Sequence, residues 1–215
     1  MVAPPEKEDV RPFIKVDEIL TNNGLNAPKI LYKNIDAGLL LLEDYGDDLY
    51  SKVLASGAAN EQELYQLATD LLAKLPTKAD VPDYTTEKLV EEACLIIDWL
   101  FEGAPKDEFI AIWTKTLQDL RLKKKVLVLR DYHADNLMWL PQNEGFNKIG
   151  LLDFQDALMG NPAYDLVSLL EDARRDVSKS TVDKLLKGKN VDFMRDYFIL
   201  GAQRNLKIIG IFNRL

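Results

Sequence analysis

The sequence predicts an α+β fold in two parts, a small β-containing part over residues 1–46 and a mostly helical part over residues 47–215. Three observations predict it. Short apolar segments at 29–32 and 39–43 flank a turn-like stretch from Lys33 to Gly38, which reads as a β-hairpin. From about residue 49 onward the apolar residues recur with a helical period. Three short runs of β-forming residues then interrupt the helices, and polar residues stand at the ends of those runs.

Taken in order, residues 1–8 are rich in proline and charge and read as irregular. Residues 9–23 read as a helix, with Val10, Phe13, Ile14, Ile19 and Leu20 partly on one face and Gly24 as the C-cap. Asp44 to Asp48 reads as a connector between two lobes. Amphipathic helices are expected over 61–75, 86–102 and 106–123, marked by stripes such as Leu64, Leu67, Leu71 and Leu75. Strand-like runs follow at 126–129, 137–140 and 149–152, the last two joined by a turn containing Gly145. Helices resume near Ala163, with a break at 188–190. Trp99, Trp113 and Trp139 fall at positions expected to pack, and Cys94 is expected to be a buried thiol.

Composition narrows the function classes. The 215 residues carry 27 basic and 35 acidic side chains, a net charge of −8, which makes the chain a poor candidate for wrapping a nucleic-acid backbone. The basic run from Arg121 to Lys125 is short and reads as a solvated helix end. No apolar run can span a bilayer, and the first residues lack the apolar core of a secretory signal, so a cytoplasmic location is expected. A single cysteine excludes an intrachain disulfide. Nothing in the pattern sets an oligomeric state.

The chemistry concentrates at two loops. In Leu129-Arg-Asp-Tyr-His-Ala-Asp-Asn-Leu-Met138 a polar loop joins two strands and separates Asp131 from Asn136 by four residues. In Leu151-Leu-Asp-Phe-Gln-Asp156 a strand runs directly into Asp153. A D-x-x-x-x-N loop followed by a strand ending in Asp-Phe is the catalytic core of protein-kinase-like enzymes. Phosphoryl transfer needs one carboxylate to orient a hydroxyl and take its proton, and Asp131 fits that role. Magnesium prefers oxygen donors, and Asn136 and Asp153 supply an amide oxygen and a carboxylate. Any one of these residues alone could merely close a turn. The ordered set on a strand–loop–strand–turn–strand frame favours function. His133, the only histidine, makes neither a zinc site nor a triad and reads as support for the loop. Asp135 reads as a loop residue facing solvent.

At these residues the chain resembles the aminoglycoside phosphotransferase/choline kinase group, and within it is similar to bacterial anomeric kinases of N-acetylmuramate and N-acetylglucosamine. The segments that carry the likeness are APPEKEDVRPFIKV, LLLLEDYGD, LRDYHADNLMWLP, IGLLDFQDALMGNPAYDLVSLLEDARRDV and QRNLKIIGIF, and the resemblance covers essentially the whole chain. The resemblance implies a protein-kinase-like two-lobed fold with a mostly helical C-lobe, ATP and Mg2+ as cofactors, and a sugar or aminoglycoside as substrate. It implies Asp131 as the base, Asn136 and Asp153 as metal ligands, and Glu43, Asp44 and Tyr45 as the connector that meets adenine, mainly through backbone groups. Arg130 and His133 support the loop, and Asp165 braces it. Arg174 and Arg175 stand equally as anchors for an acidic sugar or phosphate, or as surface partners of Glu171 or Asp172. The chain departs from the pattern in having no G-x-G-x-x-G and no strand lysine before the first helix. The expectation is therefore an N-lobe that begins near the end of its third strand, and a chain that stops before the group's last helices. Glu18 is one candidate for the helix carboxylate that such a lysine would meet.

Overall fold

The computed structural model describes residues 1–214; the end of the last expected helix at Leu215 lies outside the described residues. The first helix, α1 (Arg11–Asn22), begins with Pro12 in its first turn and buries Phe13, Ile14, Val16 and Leu20. Gly24 ends it, taking φ +72°, a left-handed value that glycine adopts without a Cβ clash. The hairpin follows as β1 (Ile30–Asn34) and β2 (Leu39–Leu42), antiparallel, with an irregularity near Leu31. Residues 1–3 are not irregular as expected. Val2 bridges Leu39, and the Ala3 N–H donates to the Gly38 carbonyl at 2.9 Å, so the chain start lies along β2.

The helical part contains α2 (Tyr50–Ala55), α3 (Glu61–Leu72), α4 (Thr86–Ala93), α5 (Leu95–Trp99) and α6 (Lys106–Gln118). Asn60 and Thr85 cap α3 and α4 by accepting the N–H groups of Glu63 and Lys88. The single helix expected over 86–102 is two, broken at Cys94, which is buried. Trp99, at the end of α5, is 47% exposed rather than packed. Trp113 and Trp139 are half-buried against the core. The basic run at 121–125 is a loop rather than a helix end. The Asp196 carboxylate holds it by accepting the Arg121 and Leu122 N–H groups at 2.8 and 2.9 Å.

Four strands follow, one more than expected: β3 (Val126–Val128), β4 (Leu137–Trp139), β5 (Ile149–Leu151) and β6 (Leu158–Gly160). β4 pairs with β5 and β3 with β6, both antiparallel, so the three strands read from sequence do not form one sheet. The chain closes with α7 (Tyr164–Leu170), α8 (Lys179–Leu186) and α9 (Val191–Arg214). The long α9 packs along α4, α5 and α7. Gly210 makes its crossing with α5 possible, because a Cβ there would lie 2.4 Å from the Leu95 backbone. No described helix is long and apolar enough to cross a membrane.

Contacts also tie the first 46 residues to the rest. The Leu151 N–H donates to the Asn26 carbonyl at 2.8 Å, and Phe13 of α1 stacks on the fully buried Phe154 with ring centroids 4.8 Å apart.

Candidate active site

The β4–β5 pairing builds the centre of the site. Leu137 faces Leu151, which sets Asn136 beside the start of the loop that holds Asp153, and the Leu152 N–H donates to the Asn136 carbonyl at 3.0 Å. The Asn136 side-chain amide then touches both other residues. Its Nδ2 lies 3.0 Å from the Asp131 carbonyl oxygen and 3.3 Å from Asp153 Oδ2. The other Asp153 oxygen accepts the Gln155 amide at 2.7 Å. With Nδ2 facing those two acceptors, the Asn136 Oδ1 makes no hydrogen bond among the described residues and is the amide atom left for a metal ion. An amide oxygen and a carboxylate are hard donors suited to magnesium. Among the described residues no group of three or more His, Cys, Asp and Glu side chains could hold a metal alone. An ion here would draw its other ligands from phosphate and water.

Asp131 follows the end of β3. It is half-buried, and its carboxylate makes no hydrogen bond among the described residues, which leaves it open to a hydroxyl. Arg130 and Asp153 are the two non-glycine residues with positive φ among those described, at 71° and 54°. Such backbone costs on the order of 1–3 kcal/mol, so the surroundings must hold it. At Arg130 the holding groups are plain. The Asp165 carboxylate accepts the Leu129 and Arg130 N–H groups at 2.7 and 2.9 Å. The Arg130 guanidinium meets Glu92 at 2.5 Å, the Asp156 carbonyl at 3.3 Å and the face of Tyr84. Burial alone would lower the Arg130 pKa, but the Glu92 charge overrides it and keeps the guanidinium charged. Asp165 is pushed up to about 7, first by burial and also by the Asp131 charge, against the pull of its two N–H donors.

His133 is buried, with Nε2 3.4 Å from the Asn136 amide and Nδ1 unpartnered. Burial and then the Arg174 charge lower its pKa, so the ring is neutral near pH 7. Asp135 is half-buried and lies 3.9 Å from Arg174 Nε. Arg174 also reaches Asp172 at 3.6 Å, whereas Arg175 turns away to Glu61 at 2.5 Å. Glu43, Asp44 and Tyr45 line a cavity of about 610 Å³ together with Asn26, Leu140 and Asn147, but Asp131, Asn136 and Asp153 do not line it. The Tyr45 hydroxyl donates to Asn26 at 2.7 Å, and its ring lies over Gly150 so closely that a Cβ there would sit 2.7 Å away. The Tyr45 side chain is thus a packing element, and the Glu43 N–H is taken up by the Lys29 carbonyl at 2.8 Å.

Several contributors escaped the sequence. Tyr132 is fully buried and anchors the loop by donating to the Ala68 carbonyl at 2.8 Å. Glu92, Tyr84 and Lys207 form a buried cluster around Arg130, with Lys207 Nζ 3.3 Å from Glu92. On α1 the buried carboxylate is Asp17, not the exposed Glu18, and Asp17 Oδ1 has no partner. The signal was present in part, since Asp17 falls on the same face as Phe13, Val16 and Leu20.

A model of the phosphotransferase enzyme family matches residues 1–197. An N-acetylmuramate/N-acetylglucosamine kinase of Caulobacter vibrioides is 36% identical over 94% of this chain. A protein of the same name in Pseudomonas aeruginosa is 36% identical over 100% of it. The chain spans 63% of the length of the first relative and 69% of the second. Among solved structures, an aminoglycoside phosphotransferase from Streptomyces rimosus in complex with ADP and streptomycin superposes with a TM-score of 0.64 at 16% identity. That match covers 96% of this chain and 85% of the other. Choline kinase LicA from Streptococcus pneumoniae gives 0.65 at 14% identity, covering 95% and 73%. These likenesses show a protein-kinase-like fold, and the match over most of the chain shows that it belongs to the phosphotransferase enzyme family.

Proposed function

We propose that this chain transfers the γ-phosphoryl group of ATP to a hydroxyl of an amino sugar, N-acetylmuramate or N-acetylglucosamine, at the anomeric position. The observation that carries the reading is the Asn136 amide, which donates to the Asp131 backbone carbonyl and to the Asp153 carboxylate at once and so ties the turn that bears Asp131 to the two side chains that offer oxygen to a metal. The likeness to the two 36% identical N-acetylmuramate/N-acetylglucosamine kinases favours the amino sugar. In this reading the connector backbone at Glu43 to Tyr45 meets the base of the nucleotide. A magnesium ion held by Asn136 and Asp153 would neutralise phosphate charge. The Asp131 carboxylate orients the sugar hydroxyl and accepts its proton as the oxygen bonds to phosphorus and the bond to the ADP oxygen breaks. Asp165, Arg130 and Tyr132 act on the backbone, holding Asp131 where a half-ångström drift would cost rate. The reaction belongs in the cytoplasm, where ATP is available.

Asp131→Asn should lower phosphorylation of the accepted sugar by about 10²–10⁴-fold. An unchanged rate would remove Asp131 from the chemistry. An aminoglycoside is the second reading, favoured by the net charge of −8 and by the fold likeness to the Streptomyces rimosus enzyme. The buried cations Arg204 and Lys207 near the loop count against a polycation as substrate. Radiolabelled ATP offered with each sugar and with kanamycin separates the two. The absence of a G-x-G-x-x-G segment from this chain favours a third reading, a module without catalysis. Calorimetry showing no response to ATP and magnesium would support that third reading.

A further inference from the structure

The Asp131 carboxylate makes no hydrogen bond among the described residues, so the backbone before it decides where it points. That backbone is held at two places. Asp165 takes the Leu129 and Arg130 N–H groups, and the left-handed Arg130 is held again through its side chain. Arg130 Nη2 meets Glu92 Oε1 at 2.5 Å, and Nη1 reaches the Asp156 carbonyl at 3.3 Å, three residues past Asp153. One guanidinium therefore ties the loop of Asp131 to the loop of Asp153, and Glu92 on α4 anchors it.

The anchor is itself aimed. Glu92 Oε2 meets Lys207 Nζ of α9 at 3.3 Å and accepts the Tyr84 hydroxyl, which leaves Oε1 to Arg130. All four side chains are largely buried, so water does not replace a lost contact, and the charge-assisted bonds are strong. The Tyr84 ring lies 5.4 Å from the Arg130 guanidinium, and its hydroxyl lies 3.0 Å from that of Tyr164, the neighbour of Asp165. Charge balance does not ask for Lys207. Glu92 and Arg130 already match one to one, and the lysine adds a second buried cation to a single carboxylate. An apolar side chain of similar length in its place would cost little stability or none. What the lysine supplies is direction, by fixing the far oxygen of Glu92. We propose that Lys207, together with Tyr84, is a positioning residue for Asp131, acting through Glu92 and Arg130. The assignment rests on the phosphotransferase reading above and adds to it the groups that set the aim of the base.

The test measures kcat, both KM values and the urea midpoint in the wild-type chain and in Lys207→Met, Lys207→Arg and Tyr84→Phe. Lys207→Met should lower kcat by up to about 10²-fold, the cost of a misplaced group, with KM for ATP and for the accepted sugar unchanged and the midpoint no lower. Lys207→Arg keeps the cation and should restore most of kcat. Tyr84→Phe frees the same oxygen of one partner and should show a smaller fall of the same kind. Placed on Arg130→Met, the change Lys207→Met should cost nothing further, because its route is already cut. Additive losses in that pair overturn the assignment. So does an unchanged kcat with a lowered midpoint, which makes the lysine structural only, or a raised KM with kcat intact, which makes it a ligand contact. If Lys207→Met does not fold, Tyr84→Phe carries the test, and an unchanged kcat in it overturns the assignment. If the wild-type chain phosphorylates a sugar and the variants match it, only the positioning role is wrong. If it phosphorylates no acceptor offered, the phosphotransferase reading falls and the assignment with it.

Discussion

Strands β3 to β6 are three residues long each and bury nearly every side chain, whereas the β1–β2 hairpin is longer and turns Leu31, Leu39 and Leu41 to solvent. The hairpin seats Leu40 in the core and leaves the opposite face free. The difference concerns register. In the short strands a slip of one residue would push side chains of the wrong size into filled sites and carry Asn136 and Asp153 away from each other, so close packing on both sides fixes the position of the residues at the strand ends. The hairpin holds no catalytic oxygen, and its outer face is under no such constraint.

The contrast can be broken from its strong side first. Glu92→Ala leaves Arg130 and Lys207 buried without their shared carboxylate and should cost about 3–5 kcal/mol in chemical denaturation. A loss near zero would mean that the strained turn after β3 is held by the backbone alone. The second test lies between the two regions, on α1. Asp17 is pushed up from 3.8 to about 6, mainly by burial and then by Glu18. Between those values the unfolded chain is ionised while the folded one keeps its proton. This contribution to stability is therefore full below about pH 4, falls as pH rises through 6, and is flat above. Asp165 acts in the same sense up to about 7. Asp17→Asn should remove up to about 3 kcal/mol of the loss in stability between pH 4 and 8. An unaltered slope in urea titrations would show that Asp17 does not titrate there. The smallest effect is expected on the hairpin, where Leu41→Lys at a 58% exposed position should change stability by no more than about 0.5 kcal/mol. A larger loss in the same titrations would mean that the outer face is covered in solution.

The same contrast explains what could be read from the residues. The spacing of Asp131 and Asn136, and the placement of Asp153 at a strand end, are local patterns, and the structure joins those residues through one amide. The hairpin was legible because its two apolar runs flank turn residues. β6 was not, since three residues carry no period and their partner β3 lies some thirty residues earlier. Glu92, Arg204 and Lys207 were hidden for another reason. Each sits on the buried face of a helix among apolar neighbours, and a pattern that sorts residues by polarity assigns such side chains to solvent. The close approach of α9 to α5 at Gly210 is a contact between residues more than a hundred positions apart, which no local signal encodes.

That crossing has a reach beyond packing. Gly210 lets the backbones of α5 and α9 touch, and Lys207 stands three residues earlier on the same rod. The far end of α9 thus acts as a datum against which Lys207, bound to Glu92 beside Arg130, is aligned. A methyl group added at the contact would push the rod away from α5, so a change remote from every reacting atom can disturb the buried cluster beside the loop.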